Sequence, residues 1–204
     1  LVQTFPDGEI TGDGRAVAES FEKSDDGLTY TFEIEENIQF HNGEEMSAED
    51  IAFTLHTIMG VSEDKYDVEK APSSPRSGGL ANVDSVETTG DYTLEIHLKK
   101  NDVELFKKEV FARLHIVPKD YIVENGWDTF EENPIGTGPY KFVEYKPGDE
   151  VVLEANEDYK GGVNIPNMVF SFYDEESSAI TALRDGKVHY MARLTPLNYY
   201  DLEG

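Results

Sequence analysis

Residues 133–162 read NPIGTGPYKFVEYKPGDEVVLEANEDYKGG, and in this stretch glycine placement, residue alternation and turn chemistry all agree. Gly136 and Gly138 allow the backbone a positive φ twice, and Pro139 then fixes an extended start of the next segment. Apolar and polar residues alternate on either side of a Pro-Gly-Asp turn at 147–149. This pattern predicts two paired strands joined by a hairpin turn.

The Gly-Thr-Gly triplet at 136–138 also invites comparison with phosphate-binding loops. Such loops lead into a helix whose N-terminus binds the anion through its free N–H groups. A strand pattern follows Gly138 instead, so the context argues against nucleotide binding.

The stretch resembles the signature of the large extracytoplasmic solute-binding proteins of peptide and nickel ABC importers. That signature runs roughly N-P-x-G-T-G-P-Y-K-F, then a charged turn, then a strand ending in N-x-x-Y-x-G-G. The positions that match it are Asn133, Pro134, Gly136, Thr137, Gly138, Pro139, Tyr140, Asn156, Tyr159, Gly161 and Gly162. Further matches are SDDG at 24–27, FHNG at 40–43, SAEDI at 47–51 and IVPK at 116–119. The matching residues themselves are interpreted as mostly structural.

Composition is that of a folded chain without thiol chemistry. Its 204 residues are 38% hydrophobic and 11% aromatic, which suits one large domain or two small ones. No apolar run reaches the roughly 18 residues of a membrane span, and no signal peptide pattern opens the chain, so neither is expected. The absence of cysteine excludes disulfides, thiolate zinc sites and thiol catalysis.

Charge is the most unusual bulk property. The chain carries 42 acidic and 17 basic residues, a formal net charge of −25. Such a surface repels phosphate backbones and anionic headgroups, so neither nucleic acid nor peripheral membrane binding is expected. The acidity is compatible with attraction of cationic ligands, but the acids are dispersed along the chain, which favours a solvated surface.

The first half of the chain alternates strands and helices. A half-buried strand is predicted at 28–35, and a helix begins at Ser47, whose hydroxyl and acidic neighbours suit a first turn, and ends at Gly60. Ile51, Leu55 and Ile58 face inward on that helix, and His56 is predicted to lie on or near the surface. Residues 61–82 are predicted to be an exposed excursion, followed by a hairpin of 83–88 and 92–99.

The second half begins with a helix from 101 carrying Val103, Phe106 and Val110, a break at 116–119, and a short helix to Gly126. After the signature hairpin, residues 167–173 read as a strand that is apolar on both faces and hence interior. A helix at 174–184 with Ile180 and Leu183 inward and a strand at 188–191 complete the pattern. Strand, helix and strand suggest a right-handed crossover in an open sheet.

The resemblance implies an α/β, mixed α+β fold of the periplasmic binding protein type II kind, with mixed sheets, β-hairpins and flanking helices. Proteins of this family are more than twice as long as this chain and have two lobes. By the resemblance, residues 1–126 correspond to the extra subdomain of the first lobe and 127–204 to part of the first main lobe. The second lobe is absent, so the chain is expected to be a fragment.

The resemblance also implies a function: the substrate-capture component of an ABC importer, which binds oligopeptides or dipeptides outside the membrane. The expected partners are a small-molecule or peptide ligand and the membrane permease. A monomer without a cofactor is expected, either periplasmic or lipid-anchored on the cell surface. Nickel chelates, haem or oligosaccharides are alternative ligands within the same fold.

Ligand contacts are expected from the matching strand end at Ala192, Arg193 and Leu194. A guanidinium pairs bidentately with a peptide carboxylate, which favours Arg193 as a ligand contact. An exposed arginine that forms an ion pair with one of the many acidic residues is an equally good interpretation. His189 stands where the family usually has aspartate, which weakens the transfer of local contacts.

Two readings outside the family remain: a stand-alone interaction module and a carboxylate-based hydrolase. Glu49 and Asp50 are the adjacent acids that a hydrolase reading would use. Neighbouring residues on a helix diverge by about 100°, so these carboxylates are not expected to converge on one substrate atom. The sequence has no nucleophile elbow, zinc motif or cofactor loop, and His41 is interpreted as a hydrogen-bonded loop residue. No catalytic or metal site is expected.

Overall fold

The computed structural model describes residues 3–4, 10–11, 16–61, 71–75, 77–102, 114–193 and 195. The chain divides into two compact units, the first comprising residues 1–141 and 156–162 and the second residues 142–155 and 163–204. In chain order the elements are β1 Gln3–Thr4, β2 Ile10–Thr11, β3 Ala18–Lys23, β4 Thr29–Ile34, α1 Ala48–Met59, β5 Val83–Gly90, β6 Thr93–Leu98, α2 Lys119–Asn125, α3 Trp127–Glu132, β7 Tyr140–Lys146, β8 Glu150–Ala155, β9 Asn167–Ser171 and α4 Glu176–Arg184.

A four-stranded antiparallel sheet in the order β3-β4-β6-β5 forms the centre of the first unit. The alternation in β4 buries Tyr30, Phe32 and Ile34, and the register places Phe32 opposite Leu94 on β6. Both of those residues are fully buried. The predicted strand at 28–35 and the predicted hairpin of β5 and β6 are confirmed, whereas strand β3 was not predicted.

Helix α1 begins and ends where its sequence predicts. At its N-terminus the Asp50 carboxylate accepts hydrogen bonds from the Ser47 backbone N–H (2.8 Å) and the Ser47 hydroxyl (3.0 Å). At its C-terminus Gly60 takes the left-handed conformation with φ +68°, which a residue with a side chain adopts at a cost. Ile51 and Leu55 are fully buried against the sheet, as predicted.

The prediction that His56 lies near the surface is wrong, because its exposed fraction is 4%. Helix α1 contacts β5, β6 and α2, so it is covered on more than one side. All residues from Asp50 to His56 are consequently buried. A single apolar stripe, read from sequence spacing, underestimates the burial of a helix that packs between two layers.

A second, smaller core lies where α1 meets α2 and α3. It consists of Phe53, Ile122 and Trp127, and the rings of Phe53 and Trp127 are stacked with centroids 6.0 Å apart. The predicted break at 116–119 and the short helix before Gly126 are confirmed. The remaining predicted helix begins at 101 and carries Val103. Residues 101 and 102 are described and are not helical, and residues 103–113 lie outside the described residues.

Asp50 connects α1 to the chain that enters α2. Its second carboxylate oxygen accepts the Lys119 backbone N–H at 2.9 Å. Next to it, the Val117 backbone N–H donates to the Thr54 hydroxyl at 3.1 Å, and that hydroxyl donates to the Asp50 carbonyl at 2.7 Å. Burial raises the pKa of the Asp50 carboxyl, and the hydrogen bonds from Ser47 and Lys119 oppose that shift.

A three-stranded sheet in the order β7-β8-β9 dominates the second unit, although the first two residues of β7 belong to the first unit. The signature hairpin is confirmed, and Gly148 in its turn has φ +74°. Strand β9 exists where predicted, but the prediction that it is interior is wrong, because Val169 and Phe170 are each 51% exposed. Among the described strands, β8 is the one that pairs with β9.

Two further predictions need correction. Residues 188–191 form no strand; a strand requires a hydrogen-bonded neighbour, and none of the described strands pairs with them, so the predicted crossover is not formed. Neither Gly136 nor Gly138 has a positive φ, so the corner between α3 and β7 does not depend on left-handed backbone. Helix α4 is present, with Ile180 buried as predicted and Leu183 half-buried.

Candidate functional site

The signature residues of the first unit gather around a cleft of about 870 Å³. One wall is the loop 35–43 that follows β4, and the other is made of the corner at 137–141 and the turn at 156–160. These segments are far apart in sequence and belong to the same compact unit. The cleft is therefore the place where the FHNG and GTGPY motifs meet.

His41 binds the corner directly. Its Nδ1 accepts the Gly136 backbone N–H at 3.3 Å, and its Nε2 lies 3.0 Å from the Gly138 carbonyl oxygen. The His41 backbone N–H also donates to the Gly136 carbonyl at 2.9 Å. Because an N–H faces Nδ1 and a carbonyl faces Nε2, the ring must be neutral with its proton on Nε2. The interpretation of His41 as a hydrogen-bonded loop residue is confirmed.

Asn156 holds the same corner from the other side. This side chain is 5% exposed, and its amide nitrogen donates to the Gly138 carbonyl at 3.2 Å. Its backbone N–H donates to the Pro139 carbonyl at 2.8 Å, and its side-chain oxygen accepts the Asp158 N–H at 3.3 Å. His41 and Asn156 form hydrogen bonds with backbone groups of the corner, so the motif builds a wall of the cleft. Strand β7, and not a helix, follows the motif, which agrees with the argument against a phosphate-binding loop.

The charged side chains at the cleft form ion pairs. Lys160 pairs with Glu35 across the cleft, from the turn at 156–160 to the end of β4. Lys141 lies 3.9 Å from Asp158 on the same wall. Both lysines have partly exposed side chains, so each pair contributes little to stability and water screens it.

Glu45 supports the loop that forms the first wall. One of its carboxylate oxygens accepts the Tyr92 hydroxyl at 2.7 Å and the Asn37 backbone N–H at 2.8 Å. Asn37 has φ +63° and is the non-glycine residue with a positive φ in the described part of the chain. The Tyr92 hydrogen bond and then the Asn37 N–H lower the pKa of Glu45, and the same carboxylate raises the pKa of Tyr92 to about 12.

Tyr92→Phe is expected to flatten the pH dependence of stability at both ends. The hydrogen-bonded Glu45 carboxylate contributes to the free energy of unfolding above pH 4.5, and this contribution is lost as the pH falls through the lower pKa of Glu45 in the folded state. The Tyr92 contribution is present below pH 10.0 and is lost as the pH rises toward about 12. Chemical denaturation across the pH range measures both, with Tyr190→Phe as the control because Tyr190 is 78% exposed. Equal pH profiles for the two variants contradict the prediction.

The predicted ligand-contacting segment lies in the second unit. Ala192 and Arg193 are exposed in an irregular stretch after α4, and Leu194 lies outside the described residues. Thr195 is fixed to the first turn of α4, where the Glu176 carboxylate accepts its backbone N–H at 2.6 Å and its hydroxyl at 3.1 Å. Helix α4 thus holds Thr195, which directly follows the segment.

The acids considered for catalysis have separate tasks. Asp50 is buried and accepts backbone N–H groups, whereas Glu49 pairs with the Lys119 side chain. Within the described residues, no group of three or more His, Cys, Asp or Glu side chains is arranged to hold a metal ion. Over the same residues, none of the helices has the length and apolar character that crossing a bilayer requires.

The family model described as "Bacterial extracellular solute-binding proteins, family 5 Middle" matches residues 15–204. A putative ABC transporter peptide-binding protein of Brucella ovis is 32% identical over 188 residues, which cover 89% of this chain and 33% of that protein. The solved structure of the oligopeptide-binding protein AppA of Bacillus subtilis with a nonapeptide has a TM-score of 0.75 at 29% identity and covers 92% of this chain and 36% of its own.

A structure of NikZ from Campylobacter jejuni in complex with Ni(L-His) matches equally well in fold, with a TM-score of 0.75 at 26% identity. It covers 92% of this chain and 36% of its own. The chain spans about a third of the length of the curated relatives it matches. These structures support the mixed α/β, periplasmic binding protein-like fold that the sequence predicts.

Proposed function

Since the chain belongs to family 5 of the bacterial extracellular solute-binding proteins, we propose that it is part of the substrate-capture component of an ABC importer. The family match over residues 15–204 carries this proposal. The ligand class we propose is oligopeptides or dipeptides, bound outside the membrane and delivered to a membrane permease. The description of the Brucella ovis relative as a putative peptide-binding protein and the nonapeptide in the AppA structure support this class.

The organisation we propose assigns residues 1–126 to the extra subdomain of the first lobe and residues 127–204 to part of the first main lobe. A ligand held between two lobes is enclosed by domain closure, and backbone and water-mediated contacts tolerate varied side chains. The complete receptor acts as a monomer, in the periplasm or anchored to the cell surface, and performs no catalysis. The isolated 204-residue chain, with one side of such a cleft, binds ligand weakly.

Thermal unfolding of the full-length polypeptide with and without ligands tests the function. A ligand that binds only the folded state stabilises it by about 2.7 kcal/mol at 100 times its dissociation constant. Short peptides are expected to raise the melting temperature, whereas oligosaccharides are not. Turnover of a peptide, ester or glycoside, or stabilisation by none of these ligands, contradicts the proposal.

Arg193→Ala is expected to weaken binding of a free-carboxylate peptide by the full-length polypeptide about tenfold, because a bidentate guanidinium–carboxylate pair is lost. Arg193→Lys keeps the charge without the planar guanidinium, so its affinity for the peptide is expected to lie between those of the unsubstituted polypeptide and Arg193→Ala. Lys187→Ala removes an exposed cation from the same region and is the control. Isothermal titration with a peptide and its C-terminal amide measures the effect. If the unsubstituted polypeptide binds the C-terminal amide as tightly as the free-carboxylate peptide, the role proposed for Arg193 is contradicted. An equal loss of affinity in Arg193→Ala and Lys187→Ala also contradicts it.

Nickel chelates are the second candidate ligand class, and the NikZ structure with Ni(L-His) is the observation that favours them. The same thermal experiment separates the two classes, because a nickel–histidine chelate then stabilises the full-length polypeptide and peptides do not. Free Ni²⁺ is the matched control, since a protein that recognises the chelate gains less from the bare ion.

A further inference from the structure

We propose that the His41 side chain is an acid-sensitive latch between the two walls of the cleft, and that protonation of its ring releases the loop at 35–43 from the corner before β7. The walls, the latch and the charged groups around it all belong to the first unit. The latch is independent of the receptor's ligand and of the second unit. Three observations support it: the direction of the hydrogen bonds, the charges at the cleft, and the contrast with His97.

The hydrogen bonds of the latch suit only a neutral ring. The Nδ1 atom of His41 accepts the Gly136 backbone N–H at 3.3 Å, and its Nε2 lies 3.0 Å from the Gly138 carbonyl oxygen. An imidazolium carries a proton on both nitrogens and therefore accepts no hydrogen bond, and a backbone N–H only donates. Protonation of Nδ1 thus brings two donors face to face. The Gly136 N–H then has no acceptor on the ring, and the ring and the corner move apart.

Protonation separates the corner from one wall of the cleft only. On the opposite side the Asn156 side chain donates to the Gly138 carbonyl at 3.2 Å, and the Asn156 backbone N–H donates to the Pro139 carbonyl at 2.8 Å. These bonds join amide groups, which do not titrate, so the corner stays attached to the wall that carries Asn156. Between the loop and the corner there remains the backbone bond from the His41 N–H to the Gly136 carbonyl, at 2.9 Å. The cleft is therefore expected to widen on the His41 side in acid.

The charges at the cleft permit protonation but do not hold the charged ring in place. Five charged side chains line the cleft together with His41: Glu35, Glu36, Lys141, Asp158 and Lys160. The two lysines pair with two of the three acids, and on the loop itself the Glu44 carboxylate accepts the Asn42 side-chain amide at 2.7 Å. None of the carboxylates in the described part of the chain forms an ion pair with the His41 ring. The excess of acids attracts protons, and no fixed anion stabilises the imidazolium at the corner.

His97 provides the contrast within the same unit. Its Nδ1 lies 3.1 Å from the Thr29 hydroxyl, and its Nε2 lies 3.6 Å from a carboxylate oxygen of Glu95. A hydroxyl rotates and either donates or accepts, so it suits both the neutral and the charged ring. The Glu95 carboxylate gains an ion pair when the ring is charged.

Acid therefore favours the contacts of His97 and disrupts those of His41. The two effects oppose each other in the free energy of unfolding of the first unit, which both histidines share. A global denaturation curve then conceals the latch, and a measurement at the corner itself is required.

Hydrogen exchange of single amides in the full-length polypeptide tests the proposal. Protection is expressed relative to the exchange rate of an unstructured peptide at the same pH, which removes the intrinsic pH dependence of exchange. A free imidazole takes up its proton near about pH 6.5, so protection of the Gly136 amide is expected to be highest at about pH 7.5 and roughly tenfold lower at about pH 5, the scale of one hydrogen bond. The Asn156 amide, which donates to the Pro139 carbonyl, is the internal control and is expected to keep its protection.

His41→Gln separates protonation of the ring from other effects of acid. The glutamine amide offers an acceptor and a donor and does not titrate, so the protection of Gly136 is expected to be equal at the two pH values. His97→Gln is the matched control and is expected to keep the loss of protection at Gly136. Nitrogen NMR of the unsubstituted polypeptide is the second measurement. His41 is expected to pass from the neutral ring with its proton on Nε2 to the doubly protonated ring over the pH range in which the protection of Gly136 falls.

Equal protection of Gly136 at the two pH values overturns the proposal. A parallel loss of protection at Gly136 and Asn156 also overturns it, because the corner then loosens on both sides. So does a pH dependence at Gly136 that His41→Gln leaves unchanged. Where that variant fails to fold, the comparison of the two amides and the NMR titration, both on the unsubstituted polypeptide, provide the decision.

Discussion

Replacing Asp50 with alanine is expected to lower the free energy of unfolding by about 2–3 kcal/mol, because the change removes a helix cap and leaves two half-buried N–H donors without acceptors. The carboxylate accepts the backbone N–H groups of Ser47 and Lys119, which lie at the start of α1 and the start of α2. Because Asp50 is only 7% exposed, water has little access to replace the carboxylate as the acceptor. Urea denaturation followed by circular dichroism measures the loss.

Two variants distinguish this prediction from a general effect of removing charge. Glu49→Ala removes the adjacent carboxylate, whose side chain is 44% exposed and pairs with Lys119, and it is expected to cost less than about 1 kcal/mol. Asp50→Asn keeps the shape but retains one acceptor, so it is expected to cost about half as much as Asp50→Ala. Equal losses for Glu49→Ala and Asp50→Ala contradict the role assigned to Asp50.

His41→Ala is expected to lower the free energy of unfolding by about 2 kcal/mol, because two hydrogen bonds to the corner before β7 are lost and the Gly136 N–H keeps no acceptor. His97→Ala is the matched control. The His97 ring lies on the sheet, where its Nδ1 is 3.1 Å from the Thr29 hydroxyl, and its loss is expected to cost well under half as much.

Nitrogen NMR of the imidazoles provides an independent check on His41. The hydrogen bonds require the proton on Nε2 and a lone pair on Nδ1. A spectrum in which His41 carries its proton on Nδ1 contradicts the described geometry, whatever the stability of the alanine variant. Hydrogen exchange at Gly136 is expected to accelerate in His41→Ala and to remain unchanged in His97→Ala.

Elements whose signals are local were predictable from the sequence. The helix between Ser47 and Gly60 has its cap, its first-turn acids and its terminating glycine within a few residues of one another. The hairpins at 83–98 and 140–155 likewise have alternating strands joined by short turns. The family resemblance was predictable for the same reason, since its motifs are contiguous words in the chain.

Properties that depend on distant residues were not predictable. The hydrogen bond between His41 and Gly136 joins residues that are 95 positions apart in the sequence. Neither motif contains a pattern that predicts contact with the other. The burial of His56 depends on the elements that pack against α1, and the exposure of β9 depends on which elements lie beside it. The alternation of apolar and polar residues at 188–191 indicates an extended segment, but it does not show which strand would pair with that segment. Of the three residues expected to contact ligand, Ala192 and Arg193 are described and exposed, and their role remains a proposal.

The stacked pair of Phe53 and Trp127 determines what intrinsic fluorescence measures in this protein. Trp127 is the chain's one tryptophan, it is 9% exposed, and it sits in the small core between α1, α2 and α3. Indole emission therefore reports the melting of that core and says nothing direct about the sheet of β7, β8 and β9. An optical transition and a calorimetric transition coincide only if the two units unfold cooperatively, so comparing them measures the cooperativity between the units.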